Sequence, residues 1–226
     1  MTEPLMPTRV WDLPTRLFHW VLATCVIFSI VSAQIGGNMM VWHFRSGYVV
    51  FTLLVFRLVW GLVGGHWSRF ANFIYSPGAV LRYLRGHRRH DEHHEIGHSP
   101  LGAFSVFALL GLLGLQVWTG LISDDEIANT GPLIKYVTDA SITVATSWHK
   151  SWGQWLIVGL IVVHLVAIGF YLLRRKRNLV HPMIIGDKHL PPGVPASLDE
   201  WTTRGLAAAL LTLCAAGVAW VVSLGG

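Results

Sequence analysis

Two histidines share one apolar stretch, Ser147-Trp-His149-Lys-Ser-Trp-Gly-Gln-Trp-Leu-Ile-Val-Gly-Leu-Ile-Val-Val-His164-Leu-Val-Ala. Fifteen residues of helix would set them ~22 Å apart along the axis and ~60° apart around it. That puts one near each face of a bilayer. A polar imidazole in an apolar span is costly, so each is a candidate functional group. His19 and His43 sit in other apolar stretches. Depth along a helix pairs them. His43 and His149 open their spans, and His19 lies ~24 Å of helix below the outer end of its own. The expectation is an outer layer of His43 with His149 and an inner layer of His19 with His164. Two such layers are what two bis-imidazole haems need. His66, ~34 Å of helix below His43, is too deep for the inner layer and is read as a loop or interface residue. The rival use of an intramembrane histidine, a helix–helix hydrogen bond, explains single residues better than two depth-matched pairs.

The elements that must hold these residues follow from composition. The 226 residues are 53% hydrophobic and 13% charged, with mean hydropathy +0.51, against about 25% charged in soluble domains. Five stretches, about 15–35, 43–65, 101–122, 149–173 and 203–223, reach the ~20 residues of helix that cross a bilayer. The fold expected is an all-α integral membrane protein: a four-helix haem-binding transmembrane bundle over 15–176, then a linker 177–202 and a fifth C-terminal transmembrane helix in 203–226. Gly36-Gly37 and Gly64-Gly65 mark helix ends, and a short interfacial helix is expected around Pro77–Arg85. The N-terminal segment 1–14 has no apolar run ending in a small-residue cleavage site and is not read as a signal peptide. The N-terminus, the 66–100 loop and the 174–204 segment hold 13 of the 17 Lys and Arg. The positive-inside rule then puts the N-terminus and the 66–100 loop in the cytoplasm and the C-terminus and the 123–148 loop in the periplasm.

Only two cysteines are present, Cys25 and Cys214, both in apolar runs. A C-x-x-C-H attachment is excluded, so any haem is non-covalent, b-type. The net charge of +5 suggests no nucleic-acid role, because the basic residues cluster in loops between spans. Arg45 and Lys150 follow the outer histidines closely and could pair with haem propionates. Arg57, level with the inner layer, either pairs with an inner propionate or snorkels to the interface. His43 and His149 are each followed four residues on by glycine, Gly47 and Gly153, which would leave room for a flat macrocycle. In the tract His87–His98, the histidines 90, 94 and 98 share an i, i+4, i+8 spacing that could bind a metal. The plainer reading is a solvated basic loop.

These residues resemble the bacterial four-helix di-haem cytochrome b561 family, which includes the b-type cytochrome subunit of nickel–iron hydrogenases. The resemblance covers about residues 8–190. It rests on Val10-Trp-Asp-Leu-Pro-Thr-Arg-Leu-Phe-His19-Trp, His43-x-x-x-Gly47, Arg57-Leu-Val-Trp-Gly61, Gly97-His-Ser-Pro-Leu-Gly-Ala103, Thr119-Gly-Leu-Ile-Ser-Asp-Asp125, His149, His164 and Leu179-Val-His-Pro-Met-Ile-Ile-Gly-Asp-Lys188. It implies haem ligation at His19, His43, His149 and His164, and electron exchange between the quinone pool and a periplasmic partner such as a c-type cytochrome or hydrogenase. Some relatives imply another role, a self-sufficient enzyme passing electrons from a small oxidant such as superoxide to quinone. A non-redox transporter would leave the histidine layers unexplained, and no broken-helix pair is apparent. The fifth helix lies outside the family's core. Its small residues at 205, 209, 212 and 216 form a face that would pack against another helix, in this chain or in an oligomer partner.

Overall fold

The computed structural model describes residues 4–85, 96–125 and 127–225. Five helical stretches are long and apolar enough to cross a membrane: Leu13–Ile35, Gly37–Val63, Pro100–Leu121, Asp139–Leu173 and Trp201–Ser223. In the Asp139–Leu173 stretch only 6% of the most apolar window is buried inside the protein. Val162, Val163, Leu165 and Val166 are more than half exposed. Apolar surface on this scale marks contact with a membrane or a partner, and on helices of this length it suits lipid. In lipid the backbone must satisfy its own polar groups, which a continuous helix does.

In chain order the elements are β1 (Met6–Arg9), α1 (Leu13–Ile35), α2 (Met40–Val63), α3 (Pro77–Leu84), α4 (Pro100–Leu121), α5 (Asp139–Ser147), α6 (Gln154–Leu173), α7 (Val180–Ile185), β2 (Asp187–Leu190) and α8 (Trp201–Ser223). The starts are capped by side chains. Asp12 Oδ1 accepts from the Thr15 amide ahead of α1, Ser99 Oγ from Gly102 ahead of α4, and Thr138 from Ser141 ahead of α5. Pro77 and Pro100 take first-turn positions where no amide is needed. Gly36 and Gly37, at φ 68° and 54°, end α1 in a conformation that side chains resist.

The fourth span departs from expectation. Helix begins at Asp139, ten residues before the expected start at 149, so the expected 123–148 loop contains α5. Between α5 and α6 the chain makes a π-helical stretch, Trp148–Gly153, that carries His149. The ~60° expected between His149 and His164 assumed an unbroken α-helix and does not hold across it. A second departure is a two-stranded antiparallel sheet in which Met6 pairs with Leu190 and Arg9 with Asp187.

The chain divides into two compact units, Met1–Leu17 with Leu58–Ala108 and His164–Ala207, and Phe18–Arg57 with Leu109–Val163 and Ala208–Gly226. In the first, the sheet and the segment before α8 are tied together. Val10, Trp11 and Ile96 form a buried cluster covered by Trp67, Met183, Leu190 and Val194. Ser197 donates its amide to the Arg9 carbonyl and its hydroxyl to that of Val10. Fully buried Asp12 accepts from Trp60 Nε1 at 3.2 Å and Ser68 Oγ at 2.6 Å. A side chain on Gly65 would strike Asp12 Oδ2. In the second unit, Val26, Val50, Leu54, Leu113 and Ile157 form the core, one or two from each of α1, α2, α4 and α6. The fifth helix, α8, contributes none of these. Its buried positions are Ala207 and Val218, while Gly205, Ala209, Thr212 and Ala216 are exposed. No described residue of this chain therefore covers the small-residue face.

Candidate functional site

His43 and His149 come together in the second unit. Their ring centroids lie 5.9 Å apart with the planes at 87°. That separation would admit one metal ion between the rings, at metal–nitrogen bonds of about 2.0–2.1 Å. His43 Nδ1 lies 2.9 Å from the Ser29 carbonyl of α1. His149 Nδ1 lies 2.9 Å from the Gln116 carbonyl of α4. A carbonyl only accepts, so each Nδ1 carries the proton and donates. Each Nε2 then keeps its lone pair. A ring whose far nitrogen is held by a backbone carbonyl is the usual state of a metal-bound histidine. The donor set therefore fits a haem iron, and His43 and His149 are the residues that would hold it. The chemistry that haem b would supply when bound is a one-electron iron couple.

Small residues make this approach possible. A side chain on Gly120 would come within 2.8 Å of His149 Cε1, so α4 and the π-helical stretch can meet only there with glycine. Gly47 faces open space, in keeping with the expected room beside His43. Gly153 does not. A Cβ there would fall on Gln116 Oε1, with Trp148 Nε1 at 2.8 Å, so that glycine admits a side chain of α4 rather than a macrocycle. Around His43, Ser46 Oγ donates to the His43 carbonyl and exchanges a 2.6 Å hydrogen bond with Ser29 Oγ.

The three cations, Arg45, Lys150 and Arg57, sit in different surroundings. Arg45 is exposed and lies 4.9 Å from the Trp42 ring. With Val41, Phe44, Tyr48 and Ala128–Thr130 it lines an open cavity of about 410 Å³. Residues 41, 44, 45 and 48 share a face of α2 centred roughly 150° round from His43, so Arg45 points away from the imidazole. Lys150 donates to the Asp125 carbonyl at 3.3 Å. Asp125 itself is occupied within its loop. Partial burial would raise its pKa, but Asn129 Nδ2 and the amides of residues 127–129 hold it below the usual carboxylate range. Arg57 is 2% exposed and sits over Phe18 with 6.0 Å to the ring centroid. It is inside the protein, and the snorkelling alternative does not hold.

His19, on α1 beside the Trp20 ring, and His164, on α6, are both half-buried. His19 belongs to the second unit and His164 to the first. His66 stands in the turn after α2, where burial and then the charge of Arg69 lower its pKa. Of the possible metal tract, His87, His90, His93 and His94 lie outside the described residues. His98 packs between Trp11 and Phe73, and no group of three or more metal-ligating side chains is found among the described residues. The partners of the outer histidines, Ser29 and Gln116, went unread in the sequence. Gln116 carried a signal, as an amide in the middle of an otherwise apolar span.

Comparison with known proteins places the chain in a family. The model of the family described as prokaryotic cytochrome b561 matches residues 10–186. A Cupriavidus necator protein named "Probable Ni/Fe-hydrogenase B-type cytochrome subunit" is 24% identical over 221 residues, covering 81% of this chain and 88% of the relative. The corresponding Ni/Fe-hydrogenase 1 subunit of Escherichia coli K12 is 24% identical, over 69% of this chain and 79% of its own length. A Bradyrhizobium diazoefficiens relative of the same description is also 24% identical, over 79% of this chain. With its apolar helices and the family match across most of its length, the chain belongs to the prokaryotic cytochrome b561 family of membrane b-type cytochromes, which carry haem b and transfer electrons.

Proposed function

We propose that this protein is the electron-conducting membrane subunit of a quinone-linked system, with two haem b groups. His43 and His149 hold the outer one and His19 and His164 the inner one. The observation that carries the reading is the outer pair: two rings 5.9 Å apart, each fixed by an Nδ1–carbonyl bond that leaves Nε2 for iron. The chain's own part is to hold these imidazoles rigidly and to exclude water with the apolar core of α1, α2, α4 and α6. Electrons pass between the quinone pool and a periplasmic redox protein. The hydrogenase subunits among its relatives favour a hydrogenase over a c-type cytochrome as that partner. The charge bias of the loops supports an inner-membrane location with the N-terminus cytoplasmic. The exposed small-residue face of α8 supports helix contact with a partner subunit or a second copy.

The test is the haem content of the purified protein by pyridine haemochrome. Two haems per chain are expected, and His43→Ala, His149→Ala, His19→Ala and His164→Ala should each lose one. A single haem, retained in His19→Ala and His164→Ala, would remove the inner site. Quinone reduction without any protein partner would point instead to a self-sufficient enzyme.

A further inference from the structure

The residue opposite His149 on α4 does more than offer a carbonyl. Gln116 and His149 exchange two hydrogen bonds. The imidazole Nδ1 donates to the Gln116 carbonyl at 2.9 Å, and the Gln116 amide Nε2 donates to the His149 carbonyl at 2.9 Å. The first bond sets the ring and the second sets the backbone that carries it. They meet on the π-helical stretch Trp148–Gly153, where the i→i−4 ladder is interrupted and the backbone is least constrained by its own helix. Such stretches concentrate at functional sites. The approach depends on glycine at two points: Gly120 clears the imidazole, and Gly153 clears the Gln116 side chain. Gln116 Oε1 and Trp148 Nε1, an acceptor and a donor, are both buried and unpartnered among the described residues, and both border Gly153.

We propose that Gln116 is the positioning residue for the outer iron ligand. Its side chain holds the His149 backbone so that the Nδ1–carbonyl bond stays short, and thereby sets the reduction potential of the outer haem. This rests on the reading of His149 as an iron ligand. The physics is that of an outer-shell partner. A strong hydrogen bond at Nδ1 makes the imidazole a more basic ligand, which favours ferric over ferrous iron. Releasing the backbone weakens that bond and raises the potential. A methyl group on Gly153 would displace the Gln116 amide while leaving its chemistry intact, and would also press on Trp148 Nε1; the double variant separates the two effects.

The experiment uses the full-length protein in detergent, with redox titration of both haems and the EPR spectrum of the ferric form. Gln116→Leu and Gly153→Ala should each keep the wild-type haem content and raise the outer potential. A tenfold change in the oxidised-to-reduced ratio, about 59 mV for one electron, is the expected size, with the inner potential unmoved. The outer ferric EPR signal should shift as the 87° ring angle relaxes. The double variant should shift no further than Gln116→Leu, because the amide whose hydrogen bond Gly153→Ala disturbs is then already gone. Unchanged outer potentials in both single variants, or additive shifts in the double variant, would overturn the proposal. His149→Ala separates the two levels of the argument. If it retains the full haem content, the ligand assignment itself fails; if it loses the outer haem while Gln116→Leu leaves potential and EPR unchanged, the positioning role alone fails.

Discussion

A single carboxylate, Asp199, ties the N-terminal segment 9–13 to the start of α8, two parts of the chain far apart in sequence. It accepts from the Leu13 amide at the start of α1, pairs with Arg9 at 3.1 Å, and takes a 3.0 Å hydrogen bond from Arg204 in α8. Its side chain is 6% exposed, so water does little to screen these bonds. Burial alone would raise its pKa; the Arg204 and Leu13 hydrogen bonds and the nearby guanidinium charges outweigh that and lower it. A carboxylate whose folded pKa is depressed adds stability above its unfolded value of about 3.9 and loses it as pH falls through the folded value. The protein should therefore lose thermal stability on acidification below about pH 4. Asp199→Asn should cost about 1.5–3 kcal/mol at neutral pH and flatten that acid limb. Unfolding followed by tryptophan fluorescence in detergent between pH 7 and pH 3 checks both. An acid limb equally steep in the variant would assign the effect to other groups.

At the scale of the element, the π-helical stretch is the feature with the largest consequence. A π-helical turn is an α-helix with one residue inserted. The residues before it are rotated about the axis relative to those after it, by about the 100° that one α-helical residue contributes. Deleting Ser151 should restore an unbroken α-helix and turn His149 away from His43 while α6 keeps its register in the membrane. The expected outcome is loss of the outer haem with the inner haem retained, read from haem content and the reduced-minus-oxidised spectrum. Deleting a residue from the loop ahead of α5, such as Val137, leaves the π-helical stretch intact and serves as control. If the Ser151 deletion keeps the outer haem, the stretch does not orient the ligand.

For the whole molecule, orientation follows from where the cations lie. Arg9, Arg16, Arg69, Arg82, Arg85 and the run Arg174–Arg177 fall in or beside the sheet, the 66–85 segment and the stretch before α7, all within the first unit. Lys and Arg are retained on the cytoplasmic side during insertion, so this unit should face the cytoplasm. A reporter fused after Ser223 should behave as periplasmic and one fused within residues 86–95 as cytoplasmic. The opposite pattern would invert the proposed direction of partner access. Five spans also require the two termini on opposite sides, which labelling of each terminus in intact cells checks independently.

What the sequence by itself determined was which segments cross the membrane and which of their residues could bind iron. Insertion depends on the summed transfer of about 20 residues, a local quantity. Glycine pairs such as Gly36-Gly37 end helices for equally local reasons. Facing was another matter. The spans are apolar nearly all round because lipid outside is as apolar as the bundle within, so no stripe tells which side of α4 meets the histidine. Only tertiary packing brought Gln116 and Ser29 to the two imidazoles, turned Arg45 outward and buried Arg57. It also filled the space at Gly153 with Gln116. The π-helical stretch was invisible for the same reason, since a one-residue change of register leaves no trace in a pattern without a polar face. The sheet escaped because its strands are four residues long, one contains Pro7, and they pair across 180 residues. Such pairing comes from long-range contact with Val10, Trp11 and Ser197 and not from local propensity.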